Sequence, residues 1–184
     1  MRVLGISGSL RRDSHNSALL RVAAERLPAG AELAFYEGLS EIPPYDEDVE
    51  RDAPPEAVRE LREAIAEADA VLIATPEYNH SIPGQLKNAL DWASRPAGQS
   101  ALNGKPAVTI GASTGMFGAV WAQAELRKVL GAMGGRVLEA ELPVAHAADL
   151  RHGDRLELEP EQAEQLEEIL AELVAAAERE LVAA

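Results

Sequence analysis

The sequence predicts an α/β protein, a five-stranded parallel sheet covered by helices on both faces. Apolar runs such as Val3–Ile6 and Ala70–Ala74 show no polar alternation, as expected of strands buried on both sides. Each run is followed by a segment of helical periodicity, so strand and helix alternate five times. A chain of 184 residues, 47% hydrophobic, is long enough for one domain with a substantial core, so residues 1–184 read as a single unit.

The elements follow in order. After Val3–Ile6 the chain turns through Ser7, Gly8 and Ser9, and a helix begins near Ser14 to Ser17. Leu19, Leu20, Val22, Ala23 and Leu27 form its apolar stripe, and Pro28 and Gly30 end it. A second strand spans Ala31 to Glu37, with Leu33 and Phe35 on one face. Gly38 to Pro55 is acidic and contains Ile42-Pro43-Pro44-Tyr45, which cannot continue a helix, so it reads as a surface loop. Glu56 to Ala68 is helical, with Val58, Leu61 and Ile65 inward, and Ala70 to Ala74 is the third strand. Pro83 opens the next helix at the favoured first position, and that helix ends near Ser94. Asn103-Gly104 marks a turn before the fourth strand, Ala107 to Ile110. A helix from Ala119 to about Met133 stops at Gly134-Gly135, and Arg136 to Leu138 begins a short fifth strand. His146 to Asp154 reads as irregular, and Pro160 opens a last helix with Leu166, Ile169, Leu170, Leu173 and Val174 apolar. Five strands of this kind usually adopt the order 2-1-3-4-5, the flavodoxin-like arrangement.

Composition narrows the function. A net charge of −14 repels nucleic acid and anionic membrane, so neither is an expected partner. The absence of cysteine excludes thiol redox chemistry, disulfides and Cys-ligated clusters, and fits a reducing compartment. The N-terminus lacks a signal-peptide layout and no apolar stretch approaches the ~20 residues that span a bilayer, so a cytoplasmic protein is expected. The four histidines show no ligand spacing, so no metal site is expected.

In this fold ligands bind beyond the carboxyl ends of the strands, at the switch between strands 1 and 3. The loops after strands 1, 3 and 4 therefore converge. The first is a strand, a small-residue turn and a helix N-terminus, which form an anion site. It carries the hydroxyls of Ser7, Ser9, Ser14 and Ser17, the Asn16 amide and the Arg11 guanidinium, which suit a terminal phosphate. It has neither the Gly-Lys-Ser/Thr of a Walker loop nor the third glycine of a dinucleotide fingerprint, and Leu10 and Arg11 stand where a pyrophosphate would need glycine. The second loop, Thr75 to Gly84, is stiffened by two prolines, and its polar residues can line a flat heteroaromatic ring. The third, Ser113 to Gly118, offers glycine for close backbone approach. A phosphate at one loop and a planar ring at the others describe a mononucleotide, and in this fold FMN. A phospho-receiver needs acidic residues after strand 1 and an aspartate after strand 3, where this chain has Ser7 and Thr75. A flavodoxin-type electron carrier, or a redox sensor, is the competing class. Such carriers sandwich the flavin between aromatics, which make up only 4% here, with Tyr78 alone in the second loop.

GSLRRDSHN, from Gly8 to Asn16, and PEYNHSIPGQLKNALDW, from Pro76 to Trp92, resemble the two signatures of the NADPH-dependent FMN reductases, in the branch that includes bacterial chromate and quinone reductases. Ile42-Pro-Pro-Tyr45, Gly104-Lys-Pro106 and Gln123 with Leu126-Arg127 extend the similarity along the chain. The resemblance implies an FMN phosphate held by Ser9, Arg11, Ser14 and Asn16, with Leu10 and Ser17 in the same loop. It implies ring and ribityl contacts from Pro76, Glu77, Tyr78 and Asn79, completed by Ser113 and Gly115. It also implies NADPH or NADH as hydride donor, a small-molecule acceptor (quinone, azo compound, chromate or free flavin), and a homodimer or homotetramer. The family usually has Gly-Gly and then a basic residue where this chain has Gly118-Ala119 and Trp121, a departure at the substrate entrance.

Other residues read more plainly. Hydride transfer to flavin needs no protein base, so no catalytic side chain is expected and Glu77 serves loop geometry. His15 and His80 read as solvated loop residues, and Trp92 and Trp121 as core or interface anchors. Lys87, Asn88 and Asp91 pair locally or across a dimer.

Overall fold

The computed structural model describes residues 1–183. Strand β1 (Arg2–Ser7) leads to helix α1 (His15–Arg26), and β2 (Glu32–Tyr36) to a short helix α2 (Glu47–Asp52) and then α3 (Glu56–Glu67). Strand β3 (Ala70–Thr75) precedes α4 (Gly84–Ala93), and β4 (Pro106–Ala112) precedes α5 (Val120–Ala132). Two-residue strands β5 (Arg136–Val137), β6 (Pro143–Val144), β7 (Arg151–His152) and β8 (Arg155–Leu156) come before α6 (Pro160–Ala183). The main sheet is parallel in the order β2-β1-β3-β4-β5, the flavodoxin-like arrangement that the alternating pattern predicts.

Alternate residues of the central strands serve opposite layers. Leu4, Ile6, Val71 and Ile73 face α3, α4 and α5 with Leu61, Ile65, Leu86 and Leu126. Val3, Leu72, Val108 and Ile110 face α1 and α6 with Leu19, Leu166, Leu170 and Leu173. Every residue of β3 and β4 is buried, which is why these strands are the most uniformly apolar. The register pairs Ser7 with Ala74 and Thr75 with Gly111, so the three strands end at one edge.

The edges depart from expectation. Phe35 on β2 is exposed, because only one neighbour covers that strand. The fifth strand is split: β5 pairs with the start of β4, and β6 with its end. Where pairing resumes, Leu142 O accepts from Gly111 N, and two further bonds to Leu142 come from the buried Gln123 side chain of α5. Its Oε1 accepts from Leu142 N–H at 3.0 Å, and its Nε2 donates to Leu142 O at 3.3 Å. Pro143 itself has no N–H to donate, and the amide holds the residue before it.

Two segments expected to be irregular are ordered. The 38–55 stretch contains a 3-10 turn, Gly38–Glu41, and α2, whose first turn is capped by Asp46. It is strapped to α4 through residues spaced three and four apart on one helix face. Gln85 donates to Leu39 O and Ile42 O, Asn88 donates to Pro43 O and accepts from Tyr45 N, and Trp92 Nε1 donates to Pro43 O. Asn88 therefore serves this strap, while Lys87 pairs with Asp91 at 2.6 Å. Trp92 is fully buried, the core anchor its size suggests. The 146–154 stretch leads into the antiparallel β7-β8 hairpin, turned at Gly153 with φ +61°. Pro83 stands at the cap position, one residue before α4 rather than inside it.

Gln123→Leu leaves the buried Leu142 N–H without its acceptor. The expected cost is about 1–3 kcal/mol, read as a lower urea midpoint with unchanged slope. A loss under about 0.5 kcal/mol would mean that the strand closes without the amide.

Candidate functional site

The loop after β1 is first held by its own hydroxyls. Ser7 Oγ accepts from Ser9 N at 3.4 Å and from the Ser17 hydroxyl at 2.9 Å. Ser9 Oγ accepts from Arg11 N, and the buried Ser14 Oγ caps α1 by accepting from Ser17 N at 3.1 Å. A hydroxyl carries one donor, and Ser17 has spent its own on Ser7. Ser9 and Ser14 act as acceptors in these bonds and keep their O–H groups for a ligand. The main-chain N–H groups of His15 and Asn16 open the helix, where no intrahelical partner exists.

Two ties bring the neighbouring loops against this one. Gly8 N donates to Ala74 O at 2.8 Å, and a Cβ at Gly8 would sit 2.9 Å from Leu86 Cδ2 and 3.3 Å from Pro76 Cδ. A side chain there would press on Leu86 and Pro76, so glycine suits this close approach. The buried Asn16 amide pairs in both directions with Ala112: Nδ2 donates to Ala112 O and Oδ1 accepts from Ala112 N, each at 2.9 Å. The Asn16 side chain therefore joins α1 to β4, and what it offers the cavity is its main-chain N–H rather than the amide.

The loop after β3 makes a tight hairpin. Tyr78 and Ser81 exchange both main-chain hydrogen bonds, and Asn79 and His80 between them have φ of 53° and 60°. Asn tolerates this left-handed conformation, so geometry accounts for Asn79 at the exposed tip. Glu77 turns the other way. Its Oε2 accepts from the N–H groups of Trp121 and Ala122, both at 3.1 Å, in the first turn of α5. Ala119 precedes that helix at φ 63° and offers no capping side chain, so a carboxylate from the second loop caps it. Trp121 is 40% exposed and meets the rings of His80 and Phe117 edge-on.

The three loops enclose a cavity of about 90 Å³. Ser9, Arg11, Ser14 and Asn16 line it from the first loop, Pro76, Glu77 and Tyr78 from the second, and Ser113 from the third. Leu10 and Ser17 instead line a neighbouring cleft with Phe35 and Arg21, and neither Asn79 nor Gly115 reaches the cavity. Gly115 contributes its carbonyl, which accepts from His146 N and the Ser113 hydroxyl.

His15 and Thr114 also line the cavity. His15 is half-buried, and its Nδ1 is buried without a hydrogen-bond partner. Burial first, then the charges of Arg151 and Arg11, hold its pKa below the ordinary histidine value. It is therefore a wall of the site and not a solvated loop residue. Its place directly after the cap Ser14 is the sequence signal for this, because the first helical residue borders any ligand at a helix start.

The donor set fits a phosphate: two hydroxyls, two free N–H groups and Arg11, which makes no ion pair among the described residues, beside the unpartnered His15 Nδ1. The cavity is well below the ~300–1,000 Å³ of a typical ligand cleft, so it suits the compact end of a larger molecule. Tyr78, 52% exposed, provides an open shelf for the rest. A larger cleft of about 710 Å³ lies between Tyr45, Glu50, Arg62 and Arg95, but Arg62 and Glu50 there pair with each other at 3.0 Å. Among the described residues no acidic or histidine cluster could hold a metal ion, and no helix is long and apolar enough to cross a membrane.

Glu77→Ala removes both cap bonds and is expected to cost about 1–2 kcal/mol in thermal or denaturant unfolding. Both bonds end on one oxygen, which glutamine also carries, so Glu77→Gln should cost less than half as much.

Residues 1–149 match the family model described as NADPH-dependent FMN reductase. An NAD(P)H-dependent FMN reductase of Pseudomonas aeruginosa is 52% identical over 130 residues, 71% of this chain and 69% of the relative. A 2-hydroxy-1,4-benzoquinone reductase of a Burkholderia species is 46% identical over 129 residues, 70% of this chain and 69% of the relative. Among solved structures, the flavoenzyme FerB of Paracoccus denitrificans, an NAD(P)H:(acceptor) oxidoreductase, superposes with a TM-score of 0.84 at 37% identity over 97% of both chains. The signatures, the sheet order and the phosphate-sized cavity at its switch point agree with these matches, and the chain belongs to the NADPH-dependent FMN reductase family of oxidoreductases.

Proposed function

We propose that this chain, as a single FMN-binding domain, passes reducing equivalents from NAD(P)H to quinones, with azo compounds, chromate and free flavin as further acceptors. The observation that carries the reading is the cavity where three loops meet around unsatisfied donors. In this reading Ser9, Ser14, Arg11 and the N–H groups of His15 and Asn16 hold the FMN phosphate, and Pro76 and Tyr78 support the ring. Bound FMN supplies the two-electron relay: NAD(P)H and a quinone, with one proton, become NAD(P)⁺ and a hydroquinone. The quinone reductases among the relatives support that acceptor class.

The fold has one switch-point crevice, and only the loop after β1 among its βα loops is built for phosphate. The nicotinamide and the acceptor must then use the same open face in turn, and NAD(P)⁺ leaves before the acceptor enters. Leu10, Tyr78, Met116, Phe117 and Trp121 are large, apolar and 40% or more exposed, and all lie on or beside the three loops. A second copy of the chain would cover such a surface, which supports a homodimer or homotetramer. The reading is of a cytoplasmic protein, supported by the cysteine-free composition.

The purified protein should be yellow, or become so with FMN, and bleach when NADPH is added. Protein that takes up no FMN would sink the proposal. Arg11→Ala should weaken FMN roughly 10- to 100-fold through loss of a charge-assisted bond, and leave riboflavin almost unchanged. Double-reciprocal plots for NADPH and a quinone varied together should be parallel, and intersecting lines would refute the shared face. Glu77→Gln should keep most turnover at saturating FMN, because the carboxylate faces α5. A fall of about 10²-fold would assign it to acid–base work instead.

A further inference from the structure

The family match ends at residue 149, and the β7-β8 hairpin begins just beyond it, at Arg151. This hairpin docks against α1. Its Leu156 is buried in the same layer as Ala18, Leu19 and Val22. Arg21 donates to Asp154 O at 3.4 Å, at the hairpin turn. Such contacts would hold any hairpin in place. Arg151 does something more specific.

The Arg151 side chain is only 11% exposed. Its Nε donates to Gly153 O at 2.8 Å, which fixes the guanidinium under the turn. Its Nη1 then donates to Asp13 O at 3.0 Å, in the loop that leads into α1. Asp13 is followed by Ser14 and His15, which both line the phosphate cavity. In a trans peptide the C=O and the next N–H point in opposite directions. Holding the Asp13 carbonyl toward Arg151 therefore turns the Ser14 N–H away from the hairpin. It also fixes the peptide plane from which the helix N-terminus starts.

The charge on Arg151 is weakly answered. The nearest carboxylate, Asp154, is 4.0 Å away and 95% exposed, so solvent screens it. The field of Arg151 reaches the cavity wall, where after burial it is the next largest cause of the lowered pKa of His15.

We propose that Arg151 is a positioning residue of the phosphate site: it pins the Asp13 carbonyl and sets a shielded positive charge behind the cavity, so that the site favours a phosphorylated flavin over an unphosphorylated one. The inference rests on the FMN reading above. It adds a residue from outside the family-matched segment, on an element distant in sequence from every loop of the site.

The test uses the full-length chain, stripped of flavin and titrated separately with FMN and riboflavin. Arg151→Met keeps most of the side-chain volume and removes both the charge and the donors. It should weaken FMN about 10-fold, the scale of one charge-assisted contact, and riboflavin by less than about 2-fold. Arg151→Lys keeps the charge and one donor and should recover most of the FMN preference. A residue that only stabilises the hairpin would lower thermal stability and weaken both flavins equally. That result, in either variant, overturns the proposal while the FMN reading stands. If Arg151→Met does not fold, Arg151→Gln, which keeps a donor and loses the charge, decides: FMN weakened selectively at retained stability supports the proposal, and an unchanged FMN preference overturns it. Wild-type protein that binds neither flavin would overturn the FMN reading and this inference with it.

Discussion

The site depends on one buried amide. Asn16 is 2% exposed, and both ends of its side chain bond the main chain of Ala112, 96 residues away. A buried amide without partners costs several kcal/mol, so the first turn of α1 is stable only where β4 ends. That fixes the helix N-terminus, with its free N–H groups, against the third loop. Gly8 does the same toward the second loop through Ala74. Glu77 then joins the second loop to α5. Three loops from three separate βα units become one rigid rim, and a preorganised rim binds an anion without first having to order itself.

The parts of the fold legible in sequence are those where burial is complete. β3 and β4 are covered on both faces, so apart from the buried Thr75 and Thr109 their residues are apolar and their limits are plain. At the sheet edge the burial signal fades and local chemistry takes over. Nothing in Arg136–Leu138 announces that the strand will break, and the Gln123 amide that holds Leu142 where pairing resumes comes from a helix. The 38–55 stretch hides its order for the same reason. Its carbonyls are satisfied by Gln85, Asn88 and Trp92 of α4, which seen alone read as part of a cofactor signature. Half of that signature thus holds a long loop, and Pro76–Tyr78 is the part that borders the cavity.

The site shows a similar division. Ser9, Ser14 and Arg11 stand out in the sequence because they share a hydroxyl-rich turn before a helix, and the structure brings them to one cavity. The roles of Asn16 and Ser17 do not stand out, since sequence names a donor and not where the donor is spent. Asn79 suits the turn for its tolerance of positive φ, a backbone reason that sequence does not separate from a ligand contact. His15 stands between the two cases: its position after the cap was visible, its burial was not. The Arg151 contact spans 138 residues and has no local signature at all.

A chain of net charge −14 that binds anions has to oppose its own field. The opposition is local. Screening limits distant carboxylates to about 8 Å at physiological salt, whereas the N–H groups of His15 and Asn16, the α1 dipole and Arg11 all act at the cavity itself. The one carboxylate on the cavity wall, Glu77, is turned onto the N-terminus of α5, where helix N–H groups balance its charge. Net charge therefore governs which macromolecules the surface repels, while a few oriented donors decide what the crevice accepts. The same separation explains how Trp121 can sit exposed at the rim. Its backbone N–H completes the cap on Glu77, and its ring stays at the surface, edge-on to His80 and Phe117.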